Sequence, residues 1–185
     1  MTVGLLGFCY EFIGETNSAI HYYSLGIQAQ PRNDGLLVAR GILLYGNSPG
    51  AISDFEQAAR LNCPVVWPYL FLAHHYIVMG RFDLCRVTCE IGLKMDGSHI
   101  AKSHLEGWRA IAQAELGFPP KLVREAFDAS LRLDSSNELA KRNFAAFEAS
   151  LTASHSAKWE QQSASGIRLF GLTESLAERR HFLAA

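Results

Sequence analysis

The sequence predicts an all-α fold: an antiparallel helix-pair solenoid of about four repeats, closed by a capping helix. Three observations carry that reading. Gly14, Gly46, Gly80 and Gly117 stand 32, 34 and 37 residues apart, and each closes an apolar stretch of helical period. A second ladder, Tyr23, Phe55, Cys89 and Phe127, repeats at 32, 34 and 38 residues. Small side chains, Gly26, Ala58, Gly92 and Ser130, follow it three residues later every time. Large and small layers alternating at a fixed period are what stacked helix pairs need, since two backbones approach closely only where the side chain between them is small.

Each element follows in order. The stretch VGLLGFCYEFIG ends at Gly14, a residue that enters the left-handed conformation of a helix C-terminus without strain. The next helix sets Ala19, Tyr23 and Gly26 on one face and stops before Pro31. GLLVARGILLYG ends at Gly46; Ser48 and Pro49 then read as an N-cap and first-turn proline for a helix carrying Ala51, Phe55 and Ala58, which stops at Pro64. Pro68 opens PYLFLAHHYIVMG, closed by Gly80, and Cys85, Cys89 and Gly92 line its partner up to Gly97. LEGWRAIAQAELG closes at Gly117, with Val123, Phe127 and Ser130 on the helix that follows. Small residues also recur in the first helices, at Gly7, Gly41, Ala73 and Ala112.

Ser135 with Glu138 three residues on reads as a capping box. The helix behind it sets Ala140, Phe144, Phe147 and Leu151 on one face and Lys141, Arg142 and Glu148 off it, as the polar-sided end of a solenoid requires. Residues 1–151 are thus the array with its cap. Residues 152–166 are small and polar and read as a linker, and residues 167–185 carry a helical stripe of Leu169, Leu172, Leu176 and Leu183. No polar helix precedes the first repeat, so that end is the one offered for self-association or for the rest of a longer chain.

Composition narrows the function classes. The 185 residues are 49% hydrophobic and 19% charged, with a net charge of −1, which gives no drive toward nucleic acid or anionic lipid. No apolar run approaches the length of a membrane span, and the start MTVGLLGFCYEF, with Glu11 and Glu15 close behind, is not a secretory signal. A cytoplasmic location is expected. Four cysteines do not make a disulfide scaffold. Cys85 and Cys89, with His74 and His75 nearby, have the spacing of two metal ligands on a helix, but both stand on the inward ladder, so packed core is the expectation and no metal or cofactor is assigned. Glycine-rich phosphate loops and a nucleophile elbow are absent, and no catalytic constellation is visible.

The pattern resembles the tetratricopeptide repeat family over residues 3 to about 151. The first repeat carries the match most fully, with Leu6-Gly7, Tyr10, Gly14, Ala19, Tyr23, Gly26 and Pro31. The third matches at Tyr69, Leu72-Ala73, Tyr76, Gly80 and Gly92, with Cys85 and Cys89 where alanine and an aromatic are usual. The second has a short turn, and the fourth aligns Trp108, Ile111 and Ala112, with Glu115 in place of the tyrosine.

The resemblance implies a concave surface lined by the first helices. Carried over residue by residue, it holds Phe8 and Phe12; Val38, Ile42 and Tyr45; Trp67, Leu70, His74 and Ile77; and Arg109 and Gln113. That strip is apolar over three repeats and polar in the fourth. It is either an open groove for a peptide or amphipathic helix of another protein, or packing within the superhelix, or a surface covered by residues 167–185. Gly4, Phe8 and Ala39 at the family's carboxylate-clamp positions speak against capture of a chaperone's C-terminal tail. The reading is non-catalytic protein binding. A self-associating scaffold, a secretion-type chaperone and an enzyme remain as alternatives.

Overall fold

The computed structural model describes residues 3–153, and within them the chain is a stack of antiparallel helix pairs. The first pair is α1 (Val3–Phe12) and α2 (Thr16–Ala29); the second is α3 (Asp34–Leu44) and α4 (Gly50–Arg60). The third is α5 (Trp67–Val78) and α6 (Phe82–Gly92), the fourth α7 (His99–Glu115) and α8 (Pro120–Leu133), and α9 (Glu138–Ala153) closes the stack. Within each pair the two helices pack on each other, the second helix of each of the first three pairs packs on the first helix of the next, and α9 packs on α7 and α8. Thr152 and Ala153, which by composition begin the linker, are the last residues of α9. The expected linker from residue 154 and the leucine stripe of residues 167–185 lie outside the described residues.

The turn glycines do what their spacing predicts. Gly14, Gly46, Gly80 and Gly117 have φ of 83°, 82°, 67° and 72°, where a side chain is strained. The second-helix ladder is the core: Tyr23, Phe55, Cys89 and Phe127 are 2%, 0%, 0% and 1% exposed. Gly41 is small for a visible reason, since a Cβ there would stand 2.8 Å from the Phe55 ring. Cys85 and Cys89 are both fully buried. Burial, and the neighbouring Cys85, push the Cys89 thiol well above its ordinary range.

Polar side chains fix the helix starts. At α4 the cap position falls on Pro49 rather than on Ser48 as expected, and Ser48, one residue earlier, accepts from the Gly50 N–H through Oγ at 3.2 Å. Asn33 Oδ1 accepts from Leu36 and Ser98 Oγ from Ala101. The expected capping box at Ser135 does not form. Asn137 takes that role, its Oδ1 accepting from Ala140 N–H at 3.0 Å while its Nδ2 donates to Ser103 Oγ at 2.9 Å. Asn137 is 6% exposed, so one buried amide both starts α9 and ties it to α7. Ser136 instead bonds back to Asp134 and holds that carboxyl below its usual range.

Two further ties were not legible in the pattern. Arg40 on α3 donates Nε and one NH2 group to the two oxygens of Asp54 on α4, at 2.8 and 2.7 Å, and its other nitrogen reaches Ser24 on α2 at 3.1 Å. Asp54 is 3% exposed, so three helices meet on one buried ion pair. Val65 and Asp96 form a single β-bridge between the loop after α4 and the loop after α6. Gly97 sits beside it, where a Cβ would come within 2.4 Å of Val66.

Candidate functional site: the face of the first helices

On α3, α5 and α7 a row of rings runs across the stack. Tyr45 meets His74 at 5.9 Å between centroids, His74 meets Trp108 at 5.5 Å, and Trp108 stacks on His104 at 5.7 Å. Tyr45 stands at the end of α3 because Gly46 follows it, and it also packs on Phe71 at 4.8 Å. Its hydroxyl and His74 Nδ1 are 2.5 Å apart. Burial, then the neighbouring His75 and His104, bring the His74 pKa down to about 4, so near neutral pH the ring is uncharged and shares one hydrogen bond with the Tyr45 hydroxyl through Nδ1. Burial pushes Tyr45 up to about 12.

The predicted site residues separate into two groups. Leu70 is fully buried, and Val38, Ile42, Trp67 and Ile77 are 4–6% exposed, so the apolar strip is mostly packed rather than bare. Phe8, Tyr45 and His74 are half-buried, and Phe12 is 82% exposed. Arg109 and Gln113 leave this face altogether. The fourth repeat's helix is set by Gly117, which lies seven residues after Ala110, as Gly80 lies seven after Ala73. Counted that way Arg109 and Gln113 match Leu72 and Tyr76, two positions away from the alignment read from Trp108, Ile111 and Ala112.

The contacts agree with that count. A Cβ at Gly107 would stand 3.4 Å from Ser130 Oγ and one at Gly26 3.7 Å from the Gly4 backbone, so Gly107 holds the place of Gly4, three residues before Ala110 and Gly7 respectively. Arg109 and Glu106 pair at 2.5 Å, though without hydrogen-bond alignment at Glu106 Oε2. Burial holds Glu106 above the usual carboxylate range. Trp108 and His104, absent from the strip expected from the sequence, take the fourth repeat's place on the ring row.

A second missed feature lies along one edge. Ile13, Met79 and Leu116, each the residue immediately before a turn glycine, are 67%, 63% and 42% exposed. Phe12 and Val78 widen that edge. The signal was present, since the glycine ladder marks the places. On the opposite side of α5, about half a turn from His74, Tyr69, Leu72 and Tyr76 floor a hollow of about 310 Å³ with Glu56 and Arg60 at its rim. Among the described residues no group of three or more His, Cys, Asp or Glu side chains is placed to hold a metal ion. No helix of the described residues is long and apolar enough to cross a membrane.

Comparison with solved structures places this architecture. The MamA protein superposes with a TM-score of 0.62 over 91% of this chain and 96% of its own, at 14% identity. A thermophilic TPR protein of Thermus thermophilus superposes with a TM-score of 0.51 over 80% of each chain, also at 14% identity. The fold is the tetratricopeptide repeat. A structure of the APC/C hetero-tetramer Cut9–Hcn1 matches with a TM-score of 0.58 and 18% identity, over 76% of this chain and 28% of that one. In sequence, the mouse sperm-associated antigen 1 is 28% identical over 103 residues. The matched stretch is 51% of this chain and only 11% of the mouse protein. No protein-family model matches the sequence.

Proposed function

We propose that this TPR array is a non-catalytic protein-interaction module that takes an extended peptide or an amphipathic helix along the face of its first helices. The observation that carries the reading is the ring row Tyr45–His74–Trp108, which crosses three repeats at ring spacings below 6 Å. Tyr45 and His74 offer ring edges at its surface without an ordering cost on the receptor side, while Trp108, 3% exposed, braces them from within. Buried Leu70, Ile77 and Trp67 serve as its floor, holding the rings rather than touching a ligand. Half-buried Tyr45 and His74 are the contact residues, and Phe12 and Met79 at the turn edge extend the surface. An extended peptide docks through alternate side chains and a helix through one stripe, and a groove of this shape serves either.

The test is a peptide-display selection on the purified chain, followed by calorimetric titration of the selected peptides. His74→Ala and Tyr45→Ala weaken binding at least tenfold, while Arg60→Ala on the opposite side leaves it unchanged. Selected peptides that bind all these variants equally well refute the reading.

A further inference from the structure

The grooves between successive second helices repeat one arrangement. Between α2 and α4 the floor residue Arg40 spans both walls, donating to Ser24 on α2 at 3.1 Å and to Asp54 on α4 at 2.8 and 2.7 Å. Ser24 follows the ladder residue Tyr23, and Asp54 precedes the ladder residue Phe55. Between α4 and α6 the same two wall places hold Glu56, which follows Phe55, and Thr88, which precedes Cys89. One wall again offers a carboxylate and the other a hydroxyl, with the two exchanged. The floor residue here is Leu72, one before Ala73 as Arg40 is one before Gly41. The acceptors are thus kept, and the guanidinium that would span them is not supplied by the floor. Glu56 and Thr88 line the hollow of about 310 Å³ that results, together with Tyr69, Leu72 and Tyr76. Between α6 and α8 guanidinium groups return. Arg109 on the floor pairs with Glu106, and Arg86 donates at 2.6 Å to Glu90, the counterpart of Ser24 and Glu56.

We propose that the hollow between α4 and α6 is a binding site for an arginine side chain of a partner protein. The Glu56 carboxylate and the Thr88 hydroxyl take the two edges of the guanidinium from opposite walls, as Asp54 and Ser24 take Arg40. Tyr69 and Tyr76 stand where the first groove has Leu37 and Leu44, and their ring faces are surfaces on which a guanidinium stacks. The cations already at the rim do not fill the place. Arg60 Nη1 stays 3.8 Å from Glu56 Oε2, beyond hydrogen-bond reach, with its side chain 67% exposed, and Arg81 pairs with Asp83 at 3.9 Å. A lysine does not substitute, because a planar fork serves two acceptors and an ammonium is a single point of charge. Val87 and Ile91, both exposed on the outer side of α6, make an uncharged ledge beside the hollow for the segment that carries the arginine. The hollow lies across α5 from His74, so this site stands apart from the ring row.

The probe is Nα-acetyl-arginine amide, titrated into the full 185-residue chain and followed through the NMR methyl signals of Leu72, Thr88 and Ile91. These signals move together along one saturable curve in the millimolar range. The citrulline and lysine counterparts bind roughly tenfold more weakly, one lacking the charge and the other the fork. Glu56→Gln weakens the arginine amide by roughly tenfold with helical circular dichroism retained. Glu90→Gln, at the same place in the next groove, leaves it unchanged. Leu72→Arg supplies the guanidinium from the floor and abolishes binding of the probe. A wild-type chain whose methyl signals do not saturate overturns the proposal. So does equal binding of the arginine and lysine amides, or binding that survives Glu56→Gln. The other source of a guanidinium is Arg168, Arg179 and Arg180 of this chain. If the probe enters only after all three are replaced by glutamine, the hollow is filled from within the chain and the partner assignment is overturned. None of these readouts passes through Tyr45 or His74, so their failure is separate from failure of the proposed peptide binding.

Discussion

Between α4 and α6 the floor of the outer groove is Tyr69, Leu72 and Tyr76; between α6 and α8 the same three places hold Glu106, Arg109 and Gln113. The first floor supports an open hollow of about 310 Å³, and burial raises the pKa of both tyrosines. The second floor is occupied by its own Glu106–Arg109 pair. Beside it the Arg86 guanidinium lies 5.6 Å over the Phe118 ring. Arg109 Nε and Gln113 Oε1 are buried there without hydrogen-bond partners. One backbone plan therefore accepts an apolar or an ionic floor, but the ionic one leaves polar atoms desolvated and poorly matched. The second repeat shows the ionic solution completed, because Arg40, the counterpart of Leu72 and Arg109, is bound by Asp54 through two aligned hydrogen bonds.

The sharpest way to break this contrast is at Arg40. Arg40→Leu leaves the Asp54 carboxylate 3% exposed with its cation gone, and a loss of about 3–5 kcal/mol in urea unfolding is expected. Next comes the apolar floor. Leu72→Glu places a second carboxylate in the hollow that Glu56 already lines, and a loss of about 3 kcal/mol with an unchanged urea slope is expected. If that variant folds as well as the wild type, the apolar character of the floor is not what holds the third repeat.

Acid probes the opposite face. The folded His74 pKa is about 4 and the ordinary value is about 6.5, so the unfolded chain binds its proton first. His74 thus contributes stability that is present above pH 6.5 and lost as the pH falls toward about 4, roughly 2 kcal/mol after allowance for solvent screening. His74→Gln flattens that part of the stability–pH curve, read from unfolding midpoints across the window. The smallest effect is expected from the fourth repeat. Replacing both Glu106 and Arg109 with leucine removes a partly buried pair and should leave the unfolding free energy in urea unchanged or raise it, by about 1 kcal/mol at most. A clear loss would show that the pair is worth more than its geometry suggests.

The fold was legible because its signals are local. A left-handed turn admits glycine at little strain, and a helix crossing admits only small residues, so both ladders survive in one sequence. The fourth repeat's alignment was not legible for a definite reason. Ala110, Ala112 and Ala114 alternate there and two registers place an alanine at the crossing; the spacing to Gly117 favours Ala110, but Gly46 lies only five after Gly41, so spacing alone does not decide and the contact of Trp108 with His74 does. Asn137 was hidden by the better-known pattern formed by Ser135 and Glu138. The Arg40–Asp54 pair was hidden because an arginine at an inward position reads as surface until its partner is seen fourteen residues away. For the site, the inner helices were legible and the depth of each side chain was not. Leu70 and Phe12 look alike in a hydrophobic strip, and they are 0% and 82% exposed.

The bridge between Val65 and Asp96 bears on how the array yields to force. Val66 N–H donates to Asp96 and Asp96 N–H to Pro64, both at 2.8 Å, so the loop leaving the second repeat is tied directly to the loop leaving the third. A helix-pair stack is otherwise a chain of springs joined by side-chain packing, each coupled to its neighbours. Across the third repeat a second, stiffer element runs in parallel: two backbone hydrogen bonds spanning α5 and α6, with Gly97 allowing the strands to close. Stretched from its ends, the solenoid lengthens first on either side of this tie, and the middle behaves as a rigid segment between two compliant arms.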